Sequence, residues 1–143
     1  MKASRIVLDT SVVVAALRSR LGASNRLPTL VAEGRLKPLL TTALFLEYED
    51  VLCRAEQRLA TGMGDEDVAD FLAAIASAAE PVEVHFLWRP QLTDPADELV
   101  LEAAINGRAE AIVTHNVRDF LPGARDFKVE VISPGAMLRR VRK

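Results

Sequence analysis

The amino-acid sequence predicts an α/β fold in which a mostly parallel sheet is covered by helices. Short apolar, β-branched runs alternate along the chain with helix-length amphipathic segments, and this alternation is typical of parallel strands joined by helical crossovers. The first run, Arg5–Leu8, is apolar after its arginine, as expected of a strand buried on both faces. No repeat, low-complexity tract or linker interrupts the 143 residues. A single domain over residues 1–143 is therefore predicted.

Five strands are predicted in chain order. They are Arg5–Leu8, Lys37–Thr42, Val82–Phe86, Ala111–Thr114 and Lys128–Ile132. Pro38 indicates a strand start or a sheet edge, because proline donates no ladder hydrogen bond.

Six helices are predicted. They are Val12–Arg18 capped by Thr10 or Ser11, a helix capped by Ser24 or Asn25 and stopped by Gly34, Ala43 to about Leu59, a helix capped by Asp65 and ended by Pro81, Asp94 to about Asn106 with Gly107 beyond its end, and Pro134 to about Val141. The caps rest on the preference of short polar side chains for helix N-termini.

Composition excludes several classes of protein. One cysteine rules out a disulfide framework and a multi-cysteine zinc site. No apolar run approaches the roughly 20 residues of a membrane span, and the N-terminus lacks the apolar stretch of a signal peptide, so a cytoplasmic protein is expected. A net charge of −2 argues against nucleic-acid binding by bulk positive charge.

Polar side chains follow the predicted strands where each strand ends. Asp9 follows the first strand, while His115, Asn116 and Asp119 follow the fourth. Asp97 begins the helix that leads into the fourth strand. Sites in open parallel sheets form beyond the carboxyl ends of the strands, so these side chains are expected to converge.

Two acids lie on apolar helix faces. Asp97 falls on the same face as Val100 and Leu101, and Glu47 borders the stripe of its own helix. An inward carboxylate is costly unless something compensates it. Each acid also has an ordinary explanation: Asp97 completes a capping box with Asp94, and Glu47 is a solvated helix edge.

The acids together indicate a metal site. Several carboxylates in one cleft raise one another's pKa unless a cation is present. Carboxylate oxygens without cysteine or paired histidines suit Mg²⁺ or Mn²⁺, and such ions promote phosphodiester hydrolysis.

The sequence resembles PIN-domain ribonucleases of the VapC-type toxin group. Four blocks and a closing turn carry the resemblance, namely Ile6–Ser11, Leu44–Leu52, Asp94–Ala104, Ile112–Phe120 and Val131–Pro134. No block is specific alone, but their order along nearly the whole chain is. The resemblance implies a three-layer α/β/α sandwich, a cluster of acids that binds Mg²⁺ or Mn²⁺, and cleavage of single-stranded RNA.

The same resemblance assigns roles to individual residues. It implies that Asp9, Glu47 and Asp97 are metal ligands. Asn116 stands where many members have an aspartate, and Asp119 is expected to supply part of that charge. The remaining implied residues are the hydroxyl groups expected to hold the carboxylates by hydrogen bonds, Thr10, Ser11 and Thr114.

Partners are also expected. The candidates for RNA phosphate contacts are Arg18, Arg20 and Arg26. An equally favoured alternative is that these arginines are solvated loop charges. The resemblance implies a cognate antitoxin and a homodimer, with a partner groove between Arg18–Val31 and the helix that begins at Ala43.

Other function classes fit less well. A dehalogenase-type phosphatase needs a second acid where Ser11 stands, and neither a P-loop nor a glycine-rich dinucleotide turn is present. The remaining alternative is an inactive PIN-like module that acts by binding protein or RNA, which Asn116 favours and the three acids oppose.

Overall fold

The computed structural model describes residues 3–18, 23–85 and 92–142, without the side chains of residues 23–25, 126 and 142. It contains a five-stranded sheet in the order β3-β2-β1-β4-β5, and every neighbouring pair is parallel. The strands are β1 (Ser4–Leu8), β2 (Leu36–Leu40), β3 (Glu80–Pro81), β4 (Ala111–Val113) and β5 (Glu130–Ile132).

Eight α-helices in this part of the chain flank the sheet. They are α1 (Thr10–Arg18), α2 (Ala23–Ala32), α3 (Thr42–Leu52), α4 (Ala55–Thr61), α5 (Asp65–Ala78), α6 (Pro95–Gly107), α7 (Val117–Ala124) and α8 (Pro134–Arg142), and a 3₁₀ turn over Arg125–Phe127 follows α7. The predicted parallel α/β/α fold is confirmed.

The hydrophobic core lies on the central strands. Ile6 and Val7 of β1 and Ile112 and Val113 of β4 are completely buried, which is why these runs are apolar without alternation. The two most buried strands are thus neighbours at the middle of the sheet.

The order in which the chain adds strands to the sheet reverses between β1 and β4. β2 and β3 lie on one side of β1, whereas β4 and β5 lie on the other. Crevices at such a switch point are where open α/β sheets bind ligands. Asp9 and Thr114 are the residues that follow these two strands.

The second and third strands differ from their predictions. β2 lies inside the sheet, so Pro38 marks neither a start nor an edge. It is tolerated because β3 pairs only with Leu39 and Leu40, so that ladder begins after the proline. β3 covers Glu80–Pro81 rather than Val82–Phe86, because its partner strand ends at Leu40; Phe86 lies outside the described residues.

The long helix predicted from Ala43 to Leu59 is two helices. α3 ends at Leu52, and α4 begins at Ala55 after an extended Arg54. None of the α4 side chains is buried, whereas Leu52 is the last buried side chain of α3. Leu59 is 87% exposed.

Other helix ends shift for local reasons. α1 begins at Thr10 itself, and Gly64 rather than Asp65 caps α5, with the Asp67 carboxylate accepting its N–H. α5 ends at Ala78, before Pro81. Gly107 is the last residue of α6.

Helix α7 and the start of helix α2 differ from the predictions. Helix α7 was not predicted, since Pro122 and Gly123 lie within it. α2 begins at Ala23, so Ser24 and Asn25 lie inside that helix and their predicted capping side chains fall outside the described residues.

Candidate metal centre

Asp9 is the buried centre of the candidate site. It follows β1, and its side chain is among the few buried charged groups, at 5% exposure. Its Oδ2 accepts hydrogen bonds from Ser11 Oγ and Thr114 Oγ1, each at 2.7 Å. No described residue donates to the other oxygen, Oδ1. Among the described residues, the carboxylate is therefore held through one oxygen only.

Thr114 connects the end of β4 to Asp9. Its hydroxyl is completely buried and accepts the backbone N–H of Asn116 at 2.9 Å. Because that N–H occupies an acceptor position, the hydroxyl proton points to Asp9. This chain of hydrogen bonds spans the switch point. The Asn116 side chain itself is exposed and makes no capping bond to α7.

Asp97 is the third residue of α6 and is half-buried. Its helix begins as predicted, with the Asp94 side chain accepting the Ala96 N–H and proline at the first position. The pKa of Asp97 is raised from 3.8 to about 6, and burial is the largest cause. The negative charge of Asp9 is the next cause, and the carboxylates of Asp94, Asp119 and Glu98 add smaller contributions.

The charges of Asp9 and Asp119 therefore both act on the Asp97 carboxyl group. Within the described ranges, no lysine, arginine or histidine forms an ion pair with any of the three. Among the described residues, no basic side chain therefore offsets their mutual repulsion. Asp119 is exposed on α7.

Tyr48 connects helix α3 to the end of β1. It is 2% exposed, and its hydroxyl donates to the Leu8 carbonyl at 2.5 Å. Burial raises the pKa of this phenol well above its usual range, and the charge of Asp9 adds to the effect. In the sequence, Tyr48 stands one helical turn after Leu44, where a tyrosine that donates to a distant backbone looks like any core residue.

The other predicted residues are less closely tied to the site. Glu47 is half-buried on α3 and makes no hydrogen bond or ion pair in the described part of the chain. The Thr10 hydroxyl is buried and has no hydrogen-bond partner there, so the structure shows it holding no carboxylate. Arg18 and Arg26 are exposed, and Arg20 lies outside the described residues.

The sequence matches the PIN domain family over residues 5–118, most of the chain. The chain belongs to the PIN domain family. The match contains Asp9, Glu47 and Asp97, and it ends one residue before Asp119. No curated protein matches the sequence.

PIN domains are generally nucleases and typically use divalent metal ions. Within residues 3–18, 23–85 and 92–142, no three histidine, cysteine, aspartate or glutamate side chains stand close enough to form a complete metal site. The donor chemistry of Asp9, Asp97 and Asp119 nevertheless fits a hard divalent cation, because no described basic side chain forms an ion pair with these carboxylates. None of its described helices is long and apolar enough to cross a membrane.

Proposed function

We propose that this PIN domain is an endoribonuclease that uses Mg²⁺ or Mn²⁺ to cleave single-stranded RNA. The observation that carries the proposal is the carboxyl of Asp97. It is half-buried, and burial together with the charges of Asp9 and Asp119 raises its pKa to about 6; no described basic side chain forms an ion pair with these acids. A fold that keeps such repulsion at a switch point has a use for a bound cation.

Asp9 and Asp97 would hold the cation, with Glu47 as a third ligand after adjustment of its side chain. When bound, the cation supplies acidified water and offsets charge developing on the scissile phosphate. Ser11 and Thr114 keep Asp9 oriented, because both donate to its Oδ2 and leave Oδ1 free. Asp119 contributes negative charge in place of the carboxylate that Asn116 lacks.

Protonation of Asp97 opposes this chemistry. Its pKa of about 6 means that a proton competes with the cation in mildly acidic solution. Cleavage at limiting Mn²⁺ is therefore expected to rise between pH 5 and pH 7.

The biological setting is proposed from the sequence resemblance. We infer a toxin that acts in the cytoplasm, is held by a cognate antitoxin and forms a homodimer. The exposed Arg18 and Arg26, together with Arg20, would contact RNA phosphates. Replacing all three arginines should weaken RNA binding and reduce its salt dependence, whereas an unchanged salt dependence would remove them from the RNA surface.

A second candidate is an inactive PIN-like module that binds RNA or protein. Asn116 in place of an aspartate and the absence of a complete three-acid site among the described residues favour it. In that case, metal would not change RNA integrity, although RNA would still bind.

The test is cleavage of a labelled single-stranded RNA by the full chain with Mn²⁺, Mg²⁺ or EDTA. Asp9→Asn and Asp97→Asn should each abolish cleavage. Asp70→Asn is the matched control, since Asp70 is an exposed carboxylate on α5 outside the site. Cleavage that persists in EDTA, or in both site variants, would refute the proposal; RNA binding without cleavage in any metal would favour the inactive module.

A further inference from the structure

The Leu8 carbonyl lies where the ladder between β1 and β2 has ended. The pairing of β1 with β2 stops at Ile6 opposite Pro38, whereas the pairing of β1 with β4 continues to Leu8 opposite Val113. The first two strands thus separate at their carboxyl ends. A carbonyl left in a buried position needs a donor from elsewhere.

The donor is the Tyr48 hydroxyl, which belongs to a helix 40 residues further along the chain. Leu8 directly precedes Asp9, and Tyr48 directly follows Glu47. One side-chain hydrogen bond therefore joins the immediate neighbours of two acids that stand on different elements.

We propose that Tyr48 is a positioning residue of the candidate site, whose hydroxyl holds the backbone of Asp9 against the helix that carries Glu47. The inference rests on the proposed function, because it concerns the separation of two carboxylates that would share a cation. Tyr48 touches neither substrate nor cation in this role.

Two observations support a positioning role beyond simple packing. The Glu47 side chain makes no hydrogen bond or ion pair in the described part of the chain, so the placement of α3 limits how far its carboxylate can reach. The start of α3 is fixed at Thr41, whose Oγ1 accepts the Leu44 N–H at 3.0 Å. Tyr48 supplies the second attachment of this helix, next to Glu47 itself.

Tyr48→Phe tests the proposal, because it removes the hydroxyl and keeps the ring. Mn²⁺ is titrated into the full-length wild type and variant by calorimetry, and the Mn²⁺ dependence of RNA cleavage is measured beside it. Loss of groups that orient metal ligands typically weakens metal binding by 10- to 100-fold. We expect about tenfold weaker Mn²⁺ binding, an equal rise in the Mn²⁺ needed for half-maximal cleavage, and recovery of kcat at saturating Mn²⁺.

Val68→Ala is the matched control, since it truncates a buried side chain of α5, a helix that carries none of the candidate ligands. It should lower the melting temperature without changing the Mn²⁺ affinity. If Tyr48→Phe unfolds too readily for titration, the titration is repeated at low temperature. The double variant with Glu47→Gln then shows whether the two losses of Mn²⁺ affinity are non-additive, as expected of residues that act together.

The outcomes separate this inference from the proposed function. A wild type that binds no Mn²⁺ overturns both. A wild type that binds Mn²⁺ and a Tyr48→Phe variant with equal affinity overturn the positioning role alone. Equal loss of Mn²⁺ affinity in Val68→Ala overturns it as well, because general destabilisation would then explain the effect.

Discussion

Replacing Asp97 with asparagine should stabilise the metal-free fold while abolishing cleavage. The carboxyl is half-buried among like charges, and its pKa is raised from 3.8 to about 6. Because a shift of one pKa unit corresponds to about 1.4 kcal/mol, the ionised Asp97 would lower the free energy of unfolding by about 3 kcal/mol if it were not screened by solvent. Solvent screening of this partly exposed group reduces the expected gain to about 1–1.5 kcal/mol.

The sign of the pH dependence follows from the direction of the pKa change. The folded state binds the Asp97 proton more tightly than the unfolded chain does, so the wild type loses stability as the pH rises from about 4 to 6. The neutral asparagine has no such loss. The stability difference between variant and wild type should therefore be small below pH 4 and complete above pH 6.

Urea denaturation in EDTA at several pH values between 4 and 7.5 measures this difference. Asp70→Asn serves as the control, and it should show no comparable pH-dependent gain. Added Mn²⁺ should stabilise the wild type and reduce the advantage of the variant. A variant that is less stable at pH 7, or a gain that does not change with pH, would refute the electrostatic explanation.

Three further changes test separate parts of the structure. Thr114→Val removes a buried donor to Asp9, so it should lower the free energy of unfolding by about 1–3 kcal/mol in urea denaturation. It should also weaken Mn²⁺ binding measured by calorimetry. Thr114→Ser keeps the hydroxyl and should restore both, so equal behaviour of the two variants would contradict this. Gly107→Ala places a Cβ 2.9 Å from a Leu39 methyl and should lower stability by about 1–3 kcal/mol, so an unchanged melting temperature would show that the contact relaxes freely. Arg5→Met removes the ion pair with Glu80, at 2.6 Å, and should cost about 1 kcal/mol at neutral pH. Since Arg5 lowers the pKa of Glu80, the ion pair stabilises the fold above the usual glutamate range, and its share of the cost should be lost as the pH falls through the lowered pKa. The share from the Arg5 hydrogen bonds to the Gly107 and Arg108 carbonyls should remain, so a cost that does not change with pH would contradict a role of the ion pair.

The fold was predictable because its strongest signals are local. The runs that became β1 and β4 are apolar without alternation, since both faces of the central strands are buried. Asp94 followed by Pro95 marked the start of α6, because aspartate caps and proline is preformed for the first helical position.

Errors arose where tertiary context overrode local pattern. The stripe that begins at Leu44 continues in sequence to Ala55, but the helix ends at Leu52 and its continuation buries nothing. Helix α7 contains Pro122, which sequence rules associate with helix ends. Strand β3 is set by where β2 ends, a property of its partner.

The candidate site was predictable only in part. Asp97 stood out because it lies on an apolar face, and its raised pKa agrees with that placement. Tyr48 could not be identified, since its partner is a backbone carbonyl on another element. That Glu47 shares a cation with Asp9 and Asp97 stays a prediction.

Metal-dependent cleavage of single-stranded RNA by the purified full chain tests the central claim most directly. The account predicts cutting with Mn²⁺ that EDTA stops, that renewed Mn²⁺ restores, and that Asp97→Asn lacks. Intact RNA at every Mn²⁺ concentration, together with no heat of Mn²⁺ binding, would contradict it.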